Sequence, residues 1–476
     1  MKPPVVPSCC PAWLGRLLLL PVSCLLAACA VGPDYSGPPA LEYDLSTWQQ
    51  ESPAAVATDP TALGRWWTSF DDETLEELVL QTLAANHDLA QAASRVREAR
   101  AQRRQVGAAA WPSLDLSGSA VRRKQGEADS ESLYISGLDA SWELDIFGRV
   151  QRSRKAAQAD AMAALESGRA LRVSLLAEVA LNYVDLRAFQ TRLRLAVANV
   201  HRQQQTYDLI QKRLELGLAS ELELREGESN LANTRALIPP IETGLRRTMH
   251  RLAVLAGKQP GALDPLLEED GNIPVARLDI VVGIPADLLR RRPDIRQAER
   301  QLAAQTARVG VAKADLYPRF TLNGTLSFQA TDTADLFTSM SRAGSFGPAF
   351  QWNIFNAGSV RSNITVQNER QRQALLAYEK SVLQALEEVE NAMVSYAREL
   401  DRRRELQRAV AASRQSVRLA RTMYMDGLRD FSHVLDSQRN LFLQEDQLAE
   451  SHAAVTAHLI RLYKALGGGW SIRSAP

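Results

Sequence analysis

The chain has 476 residues, of which 45% are hydrophobic and 23% are charged. This balance is typical of a folded protein and excludes a disordered chain, and the length suits about two to four ordinary domains. The 56 basic and 55 acidic side chains leave a formal net charge of +1. We therefore expect no nucleic-acid partner, because nucleic-acid binding requires a basic surface.

The N-terminus has the features of an export signal. The apolar run LLLLPVSCLLAA at residues 17–28 is too short to cross a bilayer as a helix and suits a signal-peptide core. The run ends in LAAC, which resembles the bacterial lipobox, and Cys29 is the last of the four cysteines. We predict a signal peptide over residues 1–28, a lipid on Cys29 and an extended lipid-anchored segment over residues 29–64. The alternative is an ordinary secretory cleavage site followed by a chance cysteine.

A helix is predicted between Trp66 and Pro112. No proline interrupts this stretch before Pro112, where the helix must end. Asp71 or Asp72 can cap its N-terminus.

Segments of alternating polarity follow. In RFTLNGTLSFQ, residues such as Phe320, Leu322 and Leu326 fall on one face, whereas Thr321 and Asn323 fall on the other. Similar segments begin near Ser113, Ser132 and Gly344, which gives four strands. Short strands with one apolar face are typical of a transmembrane β-barrel, and the alternative is a water-soluble sheet with one buried face.

Two very long helices are predicted at residues 150–216 and 359–426. Neither stretch contains a proline, and each is about 67 residues long, or about 100 Å at the rise of an α-helix. Apolar residues recur three and four apart between Ala, Gln and Arg, which indicates a narrow coiled-coil contact rather than a globular core.

Each long helix ends in a predicted tight turn at a glycine, Gly217 or Gly427. Ser220, with Glu223 three residues on, forms a predicted capping box that begins a returning helix. Asp430 occupies the matching position after the second turn.

Three pairs of stretches share the same order and an offset of about 206 to 210 residues, and together they predict a tandem repeat. The pairs are RVREARAQRRQVGAAAWPSLDLSG with RQLAAQTARVGVAKADLYPRFTLNG, SWELDIFGR with FQWNIFNAG, and LELGLASELEL with YMDGLRDFSHVL. The predicted repeats cover residues 65–270 and 271–476, and each contains a helix, a strand hairpin, a long helix and a returning helix.

The predicted fold is a mixed α/β membrane protein that must oligomerise. Four strands cannot close a barrel, because spanning barrels have at least about eight. Three chains would supply a twelve-stranded antiparallel β-barrel and, on one side of it, a hollow α-helical tunnel.

The sequence resembles the TolC-like outer-membrane efflux proteins, specifically the lipoprotein subgroup that works with resistance-nodulation-division pumps. The resemblance covers essentially the whole chain and is carried by LAACAVGPDY, WWTSFDDETLEELV, ADLLRRRPDIRQAERQLAAQTARVGVAKADLYPRFTLNG, WNIFNAG, VLDSQRNLF and LYKALGGGW. It implies a homotrimer in the bacterial outer membrane, extending into the periplasm, where an adaptor protein links it to an inner-membrane pump. It implies passive export of small molecules, with no cofactor apart from the lipid on Cys29.

The expected functional site is a gate at the helix turns, which would form the periplasmic mouth. Asp436, within VLDSQR, matches the family's selectivity aspartate, and a threefold ring of such carboxylates would favour cations. Tyr424 matches a family tyrosine of the closed state. Arg439 can form an ion pair across helices, and Glu226 is the first-half equivalent of Asp436. For each charge the alternative is a solvated surface group.

Three positions complicate this expectation. Met423 stands where relatives often carry a basic residue, and Ser432 stands where some place an apolar constriction residue; both leave the details of gate locking open. Gly467 to Gly469, before Trp470, are interpreted as a flexible C-terminal tether.

Enzyme functions are not supported, because the sequence contains no HExxH, GxSxG, Walker A or GxGxxG motif. A periplasmic adaptor or scaffold lipoprotein is the alternative function, since it would share export, acylation and long coiled-coil helices. The duplicated unit argues against it, because an adaptor usually has one helical hairpin flanked by soluble β-domains.

Overall fold

A computed structural model describes residues 30–38, 48, 63–127, 129–275 and 291–470. The predicted signal peptide, Cys29 and most of the predicted anchored segment lie outside the described residues. The chain divides into two compact units. The first contains residues 1–40, 95–165 and 297–379, and the second contains residues 41–94, 166–296 and 380–476.

The first unit contains a four-stranded antiparallel sheet in the order β1-β2-β3-β4. Its strands are β1 (Ser113–Arg123), β2 (Glu131–Leu144), β3 (Arg319–Ala330) and β4 (Arg342–Gln351). The pairing is between consecutive strands, so β1 and β4 are the two edges of the sheet within the chain.

The register confirms the predicted alternation and brings the apolar faces of all strands together. Leu116 lies opposite Leu138, which lies opposite Leu326, and residues opposite each other share a face. This apolar face is uncovered in the chain: Leu116 is 78% exposed and Phe346 is 79% exposed.

The other face of the sheet carries small polar side chains that hydrogen-bond across the strands. Ser117 donates to the Asp139 carboxylate at 2.6 Å, and Ser141 donates to Asn323 Oδ1 at 3.0 Å. The sheet therefore has one apolar and one polar surface, as a wall between lipid and water requires.

Both strand-to-helix junctions repeat the same contact. The indole N–H of Trp142 donates to the carbonyl of Ala110 at 3.1 Å, and that of Trp352 donates to the carbonyl of Leu316 at 3.1 Å. Each acceptor lies two residues after the end of the helix that precedes its hairpin. The two similar sequence stretches thus build two similar joints.

The helices that precede the hairpins are α2 (His87–Ala108) and α7 (Pro293–Ala314), which have 22 residues each. The hairpins lead into α3 (Arg149–Glu215) and α8 (Ser359–Met425), which have 67 residues each, as predicted. Within the described ranges, no helix is both long enough and apolar enough to cross a membrane.

The returning helices differ between the halves. The first half has α4 (Glu221–Ala236) and α5 (Ile238–Leu255), and a short helix α6 (Asp264–Leu267) follows. The second half has one continuous helix, α9 (Phe431–Ala465). Two prolines at the start of α5 explain the break, since they cannot donate backbone hydrogen bonds.

The helix predicted between Trp66 and Pro112 is in fact broken at Asn86. Helix α1 (Glu73–Ala85) begins at Asp72, whose carboxylate accepts from the Leu75 N–H at 2.9 Å. Asn86 ends α1 and caps α2, while its side-chain amide donates to the Leu255 carbonyl at 2.8 Å. This long-range bond holds the break in place.

The interpretation of Gly467 to Gly469 as a flexible tether is wrong. This segment and Trp470 are buried in the core of the second unit. The N–H of Gly469 donates to the Leu63 carbonyl at 2.8 Å, and the guanidinium of Arg169 lies 4.8 Å from the centre of the Trp470 ring. The glycines allow positive φ angles, 71° at Gly467, where side chains would be strained.

The segment that follows Cys29 is bound to the first unit by Arg152. This side chain is 1% exposed and donates to the carbonyls of Val31, Gly32 and Pro33 at 3.0 to 3.1 Å. It also donates to the Asp34 carboxylate at 2.5 Å, and with Lys155 it holds the pKa of that carboxyl below its usual value.

We expect Arg152→Ala to release this segment from helix α3. Each hydrogen bond from a charged donor contributes about 1.5 to 3 kcal/mol, so losing the three bonds to carbonyls removes most of the attachment. Hydrogen exchange at the Val31 amide, which donates to the Phe147 carbonyl at 3.1 Å, measures the release.

Lys155→Ala is the matched control, because Lys155 also binds Asp34 but lies in solvent. Its effect on exchange should be much smaller, since exposed ion pairs contribute little. Unchanged exchange in Arg152→Ala would show that other contacts hold the segment.

Candidate functional site

The predicted gate residues lie where the long helices turn back. Both turns have the geometry expected from their glycines, with φ angles of 72° at Gly217 and 71° at Gly427. The N–H of Leu218 donates to the Arg213 carbonyl at 2.7 Å, and the N–H of Leu428 donates to the Met423 carbonyl at 2.8 Å. These bonds close the helix ends as a Schellman motif.

A small apolar cluster underlies the second turn and joins α3 to α8 and α9. Its buried members are Ile210, Tyr424, Phe431, Val434 and Leu435. Because Ile210 comes from the first half of the chain and the others from the second, the cluster ties the two turns of one chain together.

Tyr424 is 6% exposed and contacts both halves through its ring. The ring centre lies 5.4 Å from that of Phe431, and the Arg213 guanidinium carbon lies 4.9 Å from it, within cation–π range. Burial and the nearby Glu223 carboxylate raise the pKa of the phenol, whereas Arg213 opposes this effect. Among the described residues, its hydroxyl has no hydrogen-bond partner.

The two returning helices begin differently. The Ser220 hydroxyl accepts from the Glu223 N–H at 3.2 Å, and the Glu223 carboxylate accepts from the Ser220 N–H at 2.6 Å, which is the predicted capping box. Asp430 occupies the equivalent N-cap position, but its side chain forms no capping bond.

Glu226, Asp436 and Arg439 line one groove between α4 and α9, with a volume of about 400 Å³. Ser432 also lines this groove, so the position is polar where some relatives are apolar. Asp436 is an exposed carboxylate, and Arg439 lies 3.8 Å from it on the same helix. Among the described residues, Arg439 therefore pairs within α9, and its predicted ion pair across helices stays a prediction.

A buried carboxylate on α9, beyond the residues that line the groove, was not predicted from the sequence. Glu445 on α9 is 6% exposed and accepts from Arg414 on α8 at 2.9 Å and from Arg202 on α3 at 3.2 Å. A signal was present, since Glu445 lies four residues from Leu441 and four from Ala449 in the buried stripe of α9.

In the described ranges, no group of three or more His, Cys, Asp or Glu side chains is placed to hold a metal ion. His452 and His458 have pKa values lowered by burial, with smaller effects of Arg403 and Arg461 respectively.

A sheet with an uncovered apolar face that continues into very long helices is typical of one class of protein, the outer-membrane channels. The chain belongs to the outer membrane efflux protein family, whose model matches residues 78–258 and 284–468.

Similar proteins match over nearly their full length. Nodulation protein T of Rhizobium leguminosarum bv. trifolii is 33% identical over 454 residues, which are 94% of this chain and 96% of the relative. Cation efflux system protein CusC of Escherichia coli O6:H1 is 31% identical over 457 residues, 96% of this chain and 99% of the relative. The solved structure of the outer-membrane channel OprN has a TM-score of 0.86 at 36% identity, covering 93% of this chain and 100% of that one.

The chain is therefore an outer-membrane channel of an efflux system, extending into the periplasm. Proteins similar to it are transport channels rather than enzymes. The alternative of a periplasmic adaptor or scaffold is set aside, because the family match spans both halves of the chain.

We expect Tyr424→Ala to loosen the second turn strongly. Removing a buried aromatic ring costs about 3 to 5 kcal/mol, and here it also removes the ring contacts with Arg213 and Phe431. Hydrogen exchange at the Leu428 amide should become at least about a hundredfold faster, since about 3 kcal/mol corresponds to that factor.

The matched control is Tyr424→Phe, which keeps the ring and removes a hydroxyl that has no hydrogen-bond partner among the described residues. It should leave exchange within about threefold of the unmodified protein. Equal acceleration in both variants would mean that the hydroxyl, not the ring, secures the turn.

Proposed function

We propose that three copies of this chain close into one conduit, with a twelve-stranded β-barrel in the outer membrane and an α-helical tunnel in the periplasm. The observation that carries this proposal is the sheet: four strands, two free edges and an uncovered apolar face in one chain. Backbone edges cannot remain unpaired in lipid, and about eight strands are the minimum for closure. The edges β1 and β4 of neighbouring copies would pair.

The paired halves of the chain support the same assembly. Equal helices of 67 residues in each half, and the two equivalent tryptophan contacts at the junctions, support a tandem repeat. Three chains would then present six similar units around one axis, and helices of about 100 Å would suit a long tunnel.

The gate is proposed at the groove between α4 and α9, with Asp436 as its main charged residue. Asp436 is 66% exposed on its side chain, and its contact with Arg439 at 3.8 Å is of the kind that contributes about 0 to 1 kcal/mol. Its carboxylate is thus available to ions. A threefold repeat would bring three such carboxylates to a constriction and favour cations, with Glu226 contributing from the opposite wall of the groove.

The turns at Gly217 and Gly427, with the helix starts at Ser220 and Asp430, are proposed as the surface that meets a periplasmic adaptor. The adaptor would connect the channel to an inner-membrane resistance-nodulation-division pump. A lipid on Cys29 would add a second attachment to the outer membrane, and the protein itself would catalyse no reaction and hold no metal.

We expect the purified protein to conduct ions across a planar bilayer with a small, cation-selective current. Asp436→Asn should lower the ratio of cation to anion permeability at least about threefold, because a ring of three charges is removed from the constriction. The reversal potential in a salt gradient measures this ratio.

Glu268→Gln is the control, since it removes an exposed carboxylate distant in sequence from the turns. It should leave the reversal potential unchanged. Conduction with equal selectivity in all three proteins would show that Asp436 does not set the selectivity of the gate. Trimers that never conduct would contradict the channel assembly itself.

For the anchor, we expect mass spectrometry of the mature protein to find its first residue at Cys29 with acyl groups attached. Cys29→Ser should remove the acyl mass and leave residues 30 onward unmodified. A mature Cys29 protein without acyl mass would favour the ordinary secretory cleavage site.

A further inference from the structure

A basic groove lies beside the first hairpin, in the first unit. It is lined by Arg103 and Arg104 of α2, by Arg154 of α3 and by Trp111, and its volume is about 500 Å³. Gly107, Ala108 and Gln158 complete its lining. The three arginines are exposed and no acidic residue lines the groove.

These arginines lack the acidic partners that some other arginines of the same unit have. Arg308 pairs with Asp160 at 2.6 Å, and Arg319 pairs with Asp315 at 2.6 Å. Arg103, Arg104 and Arg154 form no ion pair or hydrogen bond with any residue that the structure describes. Three positive charges held close together without compensation favour an anionic ligand.

The fold does not need these charges. When Trp111 is aligned with Tyr317, the residues equivalent to Arg103 and Arg104 are Val309 and Gly310. When Gly148 is aligned with Gly358, the equivalent of Arg154 is Ile364. The second half builds the same junction without charged residues at these positions, so the junction itself does not require the charges.

The basic groove is distinct from a second groove that also includes residues of α3. At about 100° per residue, Gln158 lies about 60° around the helix from Lys155, which binds Asp34. It lies about 140° from Ser153, which lines a separate groove shared by α2, α3, α7 and α8. Gln158 therefore lies nearer on the helix to Lys155 than to the residues of the groove shared by four helices.

The groove also lies at the level where a membrane-spanning strand would leave the bilayer. Trp111 is 75% exposed and precedes the first residue of β1, Ser113, by two positions. Tryptophan is enriched at the boundary between lipid and water, and guanidinium groups bind phosphate through paired hydrogen bonds.

We propose that this groove binds the phosphate headgroup of an anionic phospholipid in the periplasm-facing leaflet of the outer membrane. The proposal rests on the proposed function, because the membrane position is set by the sheet. Arg103, Arg104 and Arg154 supply the charge, and Trp111 lies at the acyl boundary. The bound lipid fixes the depth of the first hairpin in the bilayer.

The test is titration of the purified full-length protein with short-chain phosphatidylglycerol, followed by native mass spectrometry. In the triple variant Arg103→Gln, Arg104→Gln and Arg154→Gln, affinity should fall at least about tenfold, given the usual contribution of each basic residue near an anionic surface. Binding of phosphatidylcholine should be equal in both proteins.

The charge-matched control is Arg247→Gln, Arg398→Gln and Arg408→Gln, which removes three exposed arginines of the second unit. It should bind phosphatidylglycerol like the unmodified protein. Equal affinity for both lipids, or an unaffected triple variant, overturns the proposal.

Two further outcomes assign the groove to a different partner and also overturn the proposal. Displacement of the lipid by inorganic phosphate at equal concentration would identify a site for a free anion. Dissociation of the triple variant into monomers, with the control variant intact, would identify a subunit interface. Bilayer conductance is recorded in parallel: a protein that binds the lipid but never conducts would contradict the channel and leave the lipid site standing.

Discussion

A polypeptide inside a bilayer must pair its backbone N–H and C=O groups, and the rest of this structure depends on that constraint. The described part of the chain supplies four strands, each hydrogen-bonded to the next, and among these residues one side of β1 and one side of β4 stay open. It also leaves the apolar face of the sheet uncovered. Open strand edges are unstable in lipid, and a large uncovered apolar face is unfavourable in water. The proposed assembly with further copies would pair both edges and enclose the polar face, and the long helices that continue from the strands would follow the symmetry of that assembly.

The helices are held together by narrow apolar stripes and by specific polar contacts. Alanine, glutamine and arginine are frequent along them, and their larger side chains, such as Leu176 and Tyr183 of α3 and Met393 of α8, pack in the core of the second unit. Buried charges then determine which helix faces meet. Arg152 donates hydrogen bonds to backbone carbonyls of the N-terminal segment. Glu445 joins α9 to α3 and α8 through two arginines. Removing one partner of such a buried pair costs more than the pair contributes, so these contacts specify one arrangement of the helices even where they add little stability.

Local rules were sufficient to predict the elements but not their distant contacts. Short stretches of sequence were enough to predict several features. The repeat of apolar residues, the absence of proline and the residue types at the turns predicted the strand faces, the two helices of 67 residues, the glycine turns and the capping box at Ser220. The break at Asn86 depends on the carbonyl of Leu255, and the burial of Gly469 depends on the carbonyl of Leu63. No local pattern carries that information. For the site, the sequence named Glu226, Asp436 and Arg439, which line one groove. Their roles in a gate stay predictions, because a constriction requires side chains from other chains.

The two turns differ in a way that bears on how a gate can open. Helix α4 begins with a complete capping box and with Glu221 and Glu223 in its first turn, which interact favourably with the helix dipole. Helix α9 begins at Asp430 with no side-chain cap and with no acidic residue in its first turn. Caps of this kind contribute about 0.5 to 2 kcal/mol, so the start of α9 is the less secured of the two. Asp436 lies within two turns of that start. The proposed selectivity carboxylate therefore lies in the half of the chain whose returning helix has the less stabilised start. The ring of Tyr424, which packs against Phe431 and Arg213, compensates for the missing cap.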